Sequence, residues 1–266
     1  MKATYDFDEK MVDNKDKFEN EFFSRFSLRH ALQPLQLNDS VSKDYKFPTF
    51  YSDVTCAIGI FLCSYDKAYN LVRQKFGPKV KPVCMTRQRS LVVFSCYEYK
   101  NVMNVAPYNE IAMTIPIMVD PMVNVPLLPM IMDKLFSNFG FYVFSMPVTS
   151  KENQIRGNKI WGLPKVTQEI DIEENGGDCV IYAKEESGEP YFKLTVPTGG
   201  KPTDFDVTSN LYSRLNGYFL QSETNFKATF NVKKHMDLLV KKNATPDRTY
   251  LILGDTPSAK VLKDLE

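Results

Sequence analysis

Val166-Thr167-Gln168-Glu169-Ile170-Asp171-Ile172 is followed by Asn175-Gly176-Gly177-Asp178, by Val180-Ile181-Tyr182-Ala183-Lys184, by Ser187-Gly188-Glu189 and by Tyr191-Phe192-Lys193-Leu194-Thr195-Val196. Apolar residues alternate along the three long pieces, and the two short ones are glycine-containing turns. That combination predicts a β-meander. Upstream, Ser90 to Tyr99, Tyr108 to Val119 and Gly140 to Met146 have the same strand character, the second leading into the proline-rich connection Pro121 to Pro129. Tyr51 to Cys63 reads as a strand, after which Ser64 is positioned to cap a helix running through Ala68, Leu71 and Val72 to Gly77-Pro78. Ser150 starts a brief helical turn carrying Arg156, and Gly157, Gly162 and Pro164 are expected to break any continuation. Downstream, strands are expected over Leu211 to Leu220, Thr224 to Val232 and Thr249 to Leu253, with a closing helix over Ser258 to Glu266 that turns Val261, Leu262 and Leu265 inward. Phe18, Phe22 and Phe26, spaced by four in the charged segment 8 to 36, predict a leading amphipathic helix. The sum is an α+β fold, mainly antiparallel β, forming a barrel or sandwich with peripheral helices. It is expected as one domain over residues 1–266, with 1–44 a helical extension packed on it, since no repeat, linker or low-complexity segment divides the chain.

Thirty-three Lys and Arg balance 32 Asp and Glu. Such neutrality lacks the electrostatic footprint that a nucleic acid or an anionic membrane requires, so neither is expected as a partner. The apolar stretch between Ile111 and Met132 is interrupted by Pro116, Pro121, Pro126 and Pro129, well short of a bilayer span. Met1 to Asp8 is acidic and lacks the apolar core of a signal peptide. Five cysteines form an odd set without a Cys-x-x-Cys pair, the usage of reduced thiols in a cytoplasmic protein. With only His30 and His235, neither near a Cys, Asp or Glu at ligand spacing, a metal site or a Ser-His-Asp triad is hard to build. Gly199-Gly200-Lys201-Pro202-Thr203 lacks the first glycine and the hydroxyl of a phosphate loop, and no dinucleotide fingerprint or nucleophile elbow is present.

Two segments remain: Pro107-Tyr108-Asn109-Glu110-Ile111-Ala112-Met113-Thr114-Ile115-Pro116 and Gly157-Asn158-Lys159-Ile160-Trp161-Gly162-Leu163-Pro164-Lys165. Together they resemble the acetoacetate decarboxylase family. There, a Tyr-x-Glu before an apolar strand ending in Ile-Pro supplies an active-site carboxylate, and a glycine-initiated stretch ending in Pro-Lys supplies a Schiff-base lysine. The resemblance implies an acetoacetate decarboxylase-like β-barrel, a covalent role for Lys165 and a proton-shuttling role for Glu110. It also implies a small keto acid substrate and a homo-oligomer. No metal, flavin, nicotinamide or pyridoxal cofactor is implied, because a protonated imine on lysine is itself the electron sink that a departing carboxylate needs. A lysine with a solution pKa of about 10.4 is almost wholly protonated near neutrality. Desolvation lowers such a value, and Ile160, Trp161, Leu163 and Val166 flank the position.

Three positions depart from the family. Val166 stands where a second lysine usually follows the first, Phe50 where an arginine is expected after Tyr45-Lys46-Phe47, and Ser95 where a strand carboxylate is expected. The substrate's carboxylate therefore needs another partner, for which Arg87, Arg89 and Arg156 are the candidates. Tyr108, Met146 and Trp161 are candidates to line the pocket. Three functions follow: decarboxylation of acetoacetate or a related β-keto acid, aldol condensation and dehydration of pyruvate-like acids through the same imine, or non-catalytic binding of a small acid.

Overall fold

The run from Ile111 to Met118 is apolar at nearly every position, the pattern of a strand covered on both faces. In the computed structural model, which describes residues 1–7, 10–85, 88–121, 125–126, 128–131, 135–241 and 245–266, this run is buried along its length. Besides shorter pieces, the chain builds β1 (Tyr51–Ser64), α1 (Tyr65–Phe76), β2 (Val80–Pro82), β3 (Arg89–Val102), β4 (Tyr108–Val119), β5 (Phe139–Val148), α2 (Lys151–Trp161), β6 (Lys165–Thr167), β7 (Glu169–Asn175), β8 (Asp178–Lys184), β9 (Pro190–Pro197), β10 (Lys201–Leu215), β11 (Tyr218–Val232), β12 (Leu251–Leu253) and α3 (Pro257–Lys263). An eight-stranded sheet has the order β11-β10-β5-β4-β3-β1, with β6 also beside β5 and β2 beside β4. Its pairings are antiparallel except that β6 and β10 run parallel to β5. The meander forms a second, antiparallel sheet in the order β7-β8-β9-β12. The mainly antiparallel α+β reading therefore holds.

Strand alternation divides β4 between two environments. Ile111, Met113, Ile115 and Ile117 enter the main core with Ile170, Ile181, Phe192 and Leu194 of the second sheet, closed by Ala68 and Val72 of α1 and Ala259 and Leu262 of α3. Full burial of each such aliphatic chain contributes about 1.5–3 kcal/mol, so this face holds the two sheets together. Tyr108 and Ala112 lie on the other side in separate clusters, Tyr108 with Tyr45 and Val148, and Ala112 with Val143, Met146 and Leu163.

Several expectations are corrected. In place of the helix expected over 8–36, the described residues 10–36 hold a 3-10 turn at Lys15–Phe18 and a single helical turn at Glu21–Ser24. The Asn20 side chain accepts the Phe22 N–H at 2.9 Å and starts that turn afresh. Phe18 and Phe23 are the pair that turns inward onto Phe50 and Met103, a spacing that one straight helix does not serve. The strand expected over Leu211 to Leu220 is the tip of the β10–β11 hairpin, which turns at Asn216-Gly217 with φ of 50° and 85°. In α3 the inward stripe is Ala259, Leu262 and Leu265, whereas Val261 is 45 % exposed. Residues three apart share a helix face, and Val261 is off that stripe. Finally, Val166 to Ile172 is not one strand. It breaks at Gln168, whose N–H bonds the Val148 carbonyl at 2.8 Å and whose side chain accepts from the Tyr191 hydroxyl at 2.8 Å. The chain thereby crosses from the large sheet, at β6, into the second sheet, at β7.

Candidate active site

Helix α2 begins at Ser150, whose hydroxyl accepts the Asn153 N–H, and it runs through Gly157 to Trp161, longer than the expected single turn. Gly157 does not break it, because a neighbouring side chain supplies the packing its missing Cβ omits. A Cβ there would meet Lys165 Cε at 2.7 Å and Cγ at 2.8 Å, with Cδ nearer still. The lysine thus lies across a groove that only glycine leaves open. Gly162 ends the helix in the left-handed conformation at φ 61°, where a side chain would also overlap the Arg214 carbonyl. Leu163-Pro164 then turns the chain into β6, where Lys165 pairs with Met146 of β5. Asn158 on α2 fixes this register from the other side: its Oδ1 accepts the Lys165 N–H at 3.0 Å and its Nδ2 donates to the Lys165 carbonyl at 3.2 Å.

The side chain so held is buried, and its Nζ lies 2.5 Å from Glu110 Oε2, both side chains being 6 % exposed. Tyr99 donates its hydroxyl to Glu110 Oε1 at 3.3 Å, and the Tyr108 ring centroid lies 5.6 Å from Lys165 Nζ. Ala112, Val143, Met146, Leu163 and Tyr97 make up the apolar cluster beside the pair. Burial, reinforced by the Glu110 charge, pushes the Tyr99 phenol well above its solution value, so it serves as a hydrogen-bond donor and not as an anion. Burial does the same to Tyr108, with Tyr51 and Glu110 adding to it and Arg156 opposing it.

A second charged group lies on the same helix. Lys43 Nζ meets Glu152 Oε2 at 3.1 Å and Oε1 at 3.2 Å, and the Tyr45 hydroxyl makes a very short bond to the same carboxylate. Arg156, 2 % exposed, stacks over the Tyr45 ring at 4.5 Å and bonds Asn153 Oδ1 at 2.9 Å and Thr49 Oγ1 at 3.1 Å.

Among the residues singled out in the sequence, Lys165, Glu110, Tyr108 and Met146 therefore come together, and Arg156 lies close enough to act on Tyr108. Trp161 is one step removed, its ring edge-on to Phe47 at 5.7 Å and 5.9 Å from the Arg156 guanidinium. Arg89 is not brought in. It pairs with Ser64 at the far end of β3, eight residues from the Tyr97 that faces Glu110 across the strands. At a rise of about 3.3 Å per residue, that is roughly 26 Å. Arg87 lies outside the described residues.

The three departures acquire positions. Val166 is 43 % exposed and points to the opposite side of β6 from Lys165, so no group is missing from the amine's surroundings on its account. Phe50 packs against the Phe18, Phe23 and Phe26 rings of the N-terminal cluster, with the Phe23 ring at 5.0 Å. Ser95 shares its face with Tyr97 and Tyr99, and Ala112 stands opposite it. Tyr97, Tyr99, Asn158, Lys43 and Glu152 were not anticipated. Period-two alternation in Tyr97-Glu98-Tyr99 puts both tyrosines on one face, a signal that the sequence does contain. Nothing local marks Lys43 or Glu152, whose pairing spans 109 residues, and Asn158 meets Lys165, seven residues on, only because the chain turns back along α2 into β6.

Among the described residues no helix is long and apolar enough to cross a membrane. The crystal structure of acetoacetate decarboxylase from Legionella pneumophila subsp. pneumophila str. Philadelphia 1 is similar at 12% sequence identity, covering 73% of this chain and 79% of that one, with a TM-score of 0.46. A structure from structural studies of acetoacetate decarboxylase is similar at 12% identity over 72% of this chain and 78% of that one, with a TM-score of 0.43. No curated protein matches the sequence. The sequence model of the family described as acetoacetate decarboxylase (ADC) matches residues 33–252, well over half of the chain and a span that includes both Glu110 and Lys165. The chain belongs to the acetoacetate decarboxylase family.

Proposed function

We propose that this protein is a lysine-dependent carbon-carbon lyase that captures a small β-keto acid, acetoacetate or a close relative, as an imine on Lys165 and releases carbon dioxide from it. The observation that carries the reading is the buried contact of 2.5 Å between Lys165 Nζ and Glu110 Oε2. Attack on a ketone requires the neutral amine, and a carboxylate at that distance is the acceptor for the proton the ammonium must give up. The amine adds to the keto carbon, and Glu110 returns a proton to the departing hydroxyl, so that water leaves and a protonated imine remains. The bond to the carboxylate then breaks, its electron pair moves onto the imine nitrogen, and carbon dioxide and an enamine result. Protonation of the enamine carbon and hydrolysis release the ketone and restore the amine. The apolar cluster of Ala112, Val143, Met146 and Leu163 favours the step in which charge disperses, because it solvates the ionised carboxylate poorly.

One observation favours condensation as the alternative. Ser95 stands on the site face where a family carboxylate is expected, and its loss leaves room and one negative charge fewer for a second carbonyl compound. The same imine on a pyruvate-like acid would then give an enamine that adds to an aldehyde and loses water. Incubation with acetoacetate, and separately with pyruvate and an aldehyde, distinguishes these routes: evolved carbon dioxide supports the first and new carbon skeletons the second. Neither product would leave a protein that only binds small acids. Borohydride added with acetoacetate should fix one reduced adduct on Lys165, and Lys165→Ala should abolish adduct and turnover together. Turnover retained by Lys165→Ala would overturn the covalent mechanism.

A further inference from the structure

We infer that Arg156 is the residue that binds the carboxylate of the keto acid captured by Lys165, an inference that rests on the imine reading above and assigns the anion contact within that site. The starting observation is a charge without a counterion. Lys165 is matched by Glu110, and Lys43 by Glu152. Arg156 is as buried as either lysine, yet among the described residues no carboxylate lies within ion-pair distance of it. Glu152, one helical turn before it, is already engaged by Lys43 and by the Tyr45 hydroxyl. The guanidinium is held only by neutral oxygens, Asn153 Oδ1 and Thr49 Oγ1, and its Nε finds no acceptor at all among the described residues.

Buried N–H groups of native proteins are almost always satisfied, so an orphan on a buried cation is a place where a further acceptor can bind. A second buried polar group without a well-formed hydrogen bond lies beside Lys165. The Tyr108 hydroxyl is buried with no hydrogen bond of good geometry, although the Tyr51 side chain stands near enough to act on it, and its ring lies against Lys165 Nζ at 5.6 Å. Tyr108 also lies within the electrostatic reach of both Glu110 and Arg156, and it packs in one cluster with the Tyr45 ring that the guanidinium covers. The other two buried polar atoms without partners, Ser52 Oγ and Asn109 Oδ1, carry no charge. A carboxylate beside Tyr108 would accept from the phenol and from Arg156 while its keto carbon stands next to Lys165.

The position of Arg156 also answers the loss at Phe50. Its Nη2 bonds Thr49, the residue immediately before Phe50, so a guanidinium reaches from α2 to the segment from which the resemblance leads one to expect an arginine. Phe50 itself is turned into the N-terminal phenylalanine cluster. Arg89, at the far end of β3, has no such access. The ligand class that fits is a small monoanionic keto acid, with its charge at one end and its carbonyl at the other.

Borohydride trapping with two ketones tests the assignment: acetoacetate carries the anion, and 2-pentanone, a simple ketone of the same length, is its neutral counterpart. Wild-type protein should trap both. Arg156→Gln should trap 2-pentanone at the wild-type rate but need about 10- to 100-fold more acetoacetate for half-saturation, the loss expected when charged hydrogen bonds are removed. Arg156→Lys, which keeps the charge but not the fork, should fall between them. An unchanged acetoacetate requirement in Arg156→Gln overturns the assignment while leaving the Lys165 reading intact. Wild-type protein that traps neither ketone overturns both. Should Arg156→Gln trap neither because it does not fold, the wild-type protein decides: butanoate but not butanamide should protect against 2-pentanone trapping, and equal protection by the two overturns the assignment.

Discussion

Replacing Gly157 by alanine should destabilise the protein, although glycine within a helix normally costs about 0.5–1 kcal/mol relative to alanine. The new Cβ would stand 2.7 Å from Lys165 Cε and 2.8 Å from Cγ. Carbon atoms settle at about 3.5 Å or more, so the lysine chain must retreat by roughly 1 Å. It cannot slide along β6, because Asn158 holds both its N–H and its carbonyl. Retreat therefore takes Nζ off Glu110. Overpacking of this kind costs about 1–3 kcal/mol, which outweighs the helical gain and leaves a net loss of roughly 1–2 kcal/mol. For a chain of this size, the melting temperature should fall by about 2–4 °C. A displacement of about 1 Å at a reacting group can lower a rate about 100-fold, and borohydride trapping by acetoacetate should slow by that order. Urea unfolding and the trapping rate, measured on the same preparation, check both numbers. A Gly157→Ala protein that is more stable and traps at the wild-type rate would refute the packing of Lys165 across the helix.

Four further outcomes are expected. Glu110→Gln keeps the shape but loses the proton acceptor, and imine formation measured by single-turnover trapping should slow by about 100- to 10,000-fold; a wild-type rate would remove Glu110 from the chemistry. Asn158→Ala deletes both side-chain bonds to the Lys165 backbone and should lower the urea unfolding free energy by about 1–3 kcal/mol. Glu152→Ala leaves Lys43 buried without its counterion and should cost about 3–5 kcal/mol in the same assay, whereas a loss below 1 kcal/mol would contradict the pairing. Burial pushes the Cys63 thiol up to about 11. The folded state then holds that proton more tightly than the unfolded chain, so its contribution is complete below about pH 8.5 and declines between there and pH 11, by about 1.4 kcal/mol per unit. The difference in stability between wild type and Cys63→Ala, followed from pH 8 to pH 10.5, isolates this effect.

Much of the sheet was legible because its signals are local. Ser64 caps α1 and Gly77 closes it, and the limits of β4 fall at Tyr108 and Val119 as the apolar run suggests. The Asn216-Gly217 turn was equally local and was read through, since apolar residues on both sides of it imitate one strand. The N-terminal phenylalanines failed differently. Their spacing supports a helix in isolation, but Phe50 and Met103, far along the chain, select a different pair for burial. At the candidate site, the motifs single out Lys165 and Glu110, which the structure brings into contact, while their supports leave no such mark. Asn158 gives no sign in its neighbours that it will clamp the lysine backbone, and the charge balance that isolates Arg156 depends on Lys43 taking Glu152, a contact spanning 109 residues.

The crossing at Gln168 explains why the lysine sits where its position can be controlled. On one side of it, Lys165 and Thr167 are paired to β5 in the large sheet; on the other, Ile170 is wholly buried in the main core between the sheets. The Lys165 side chain therefore starts from a backbone tied to two separate packing systems, with Asn158 and Gly157 fixing it against α2. Such support matters because the region is costly to fold: Lys43, Glu110, Glu152, Arg156 and Lys165 are all buried. Apolar residues of similar size would give a more stable protein at these positions, since buried ion pairs seldom recover their desolvation in full. A chain under selection only for stability would not retain three cations against two anions there. A small anion with an electrophilic carbonyl supplies the missing negative charge and, once bound, should raise the unfolding temperature of Lys165→Met protein, which cannot react but keeps Arg156. A melting temperature unchanged by millimolar acetoacetate in that variant would mean that the excess charge serves some purpose other than holding the substrate.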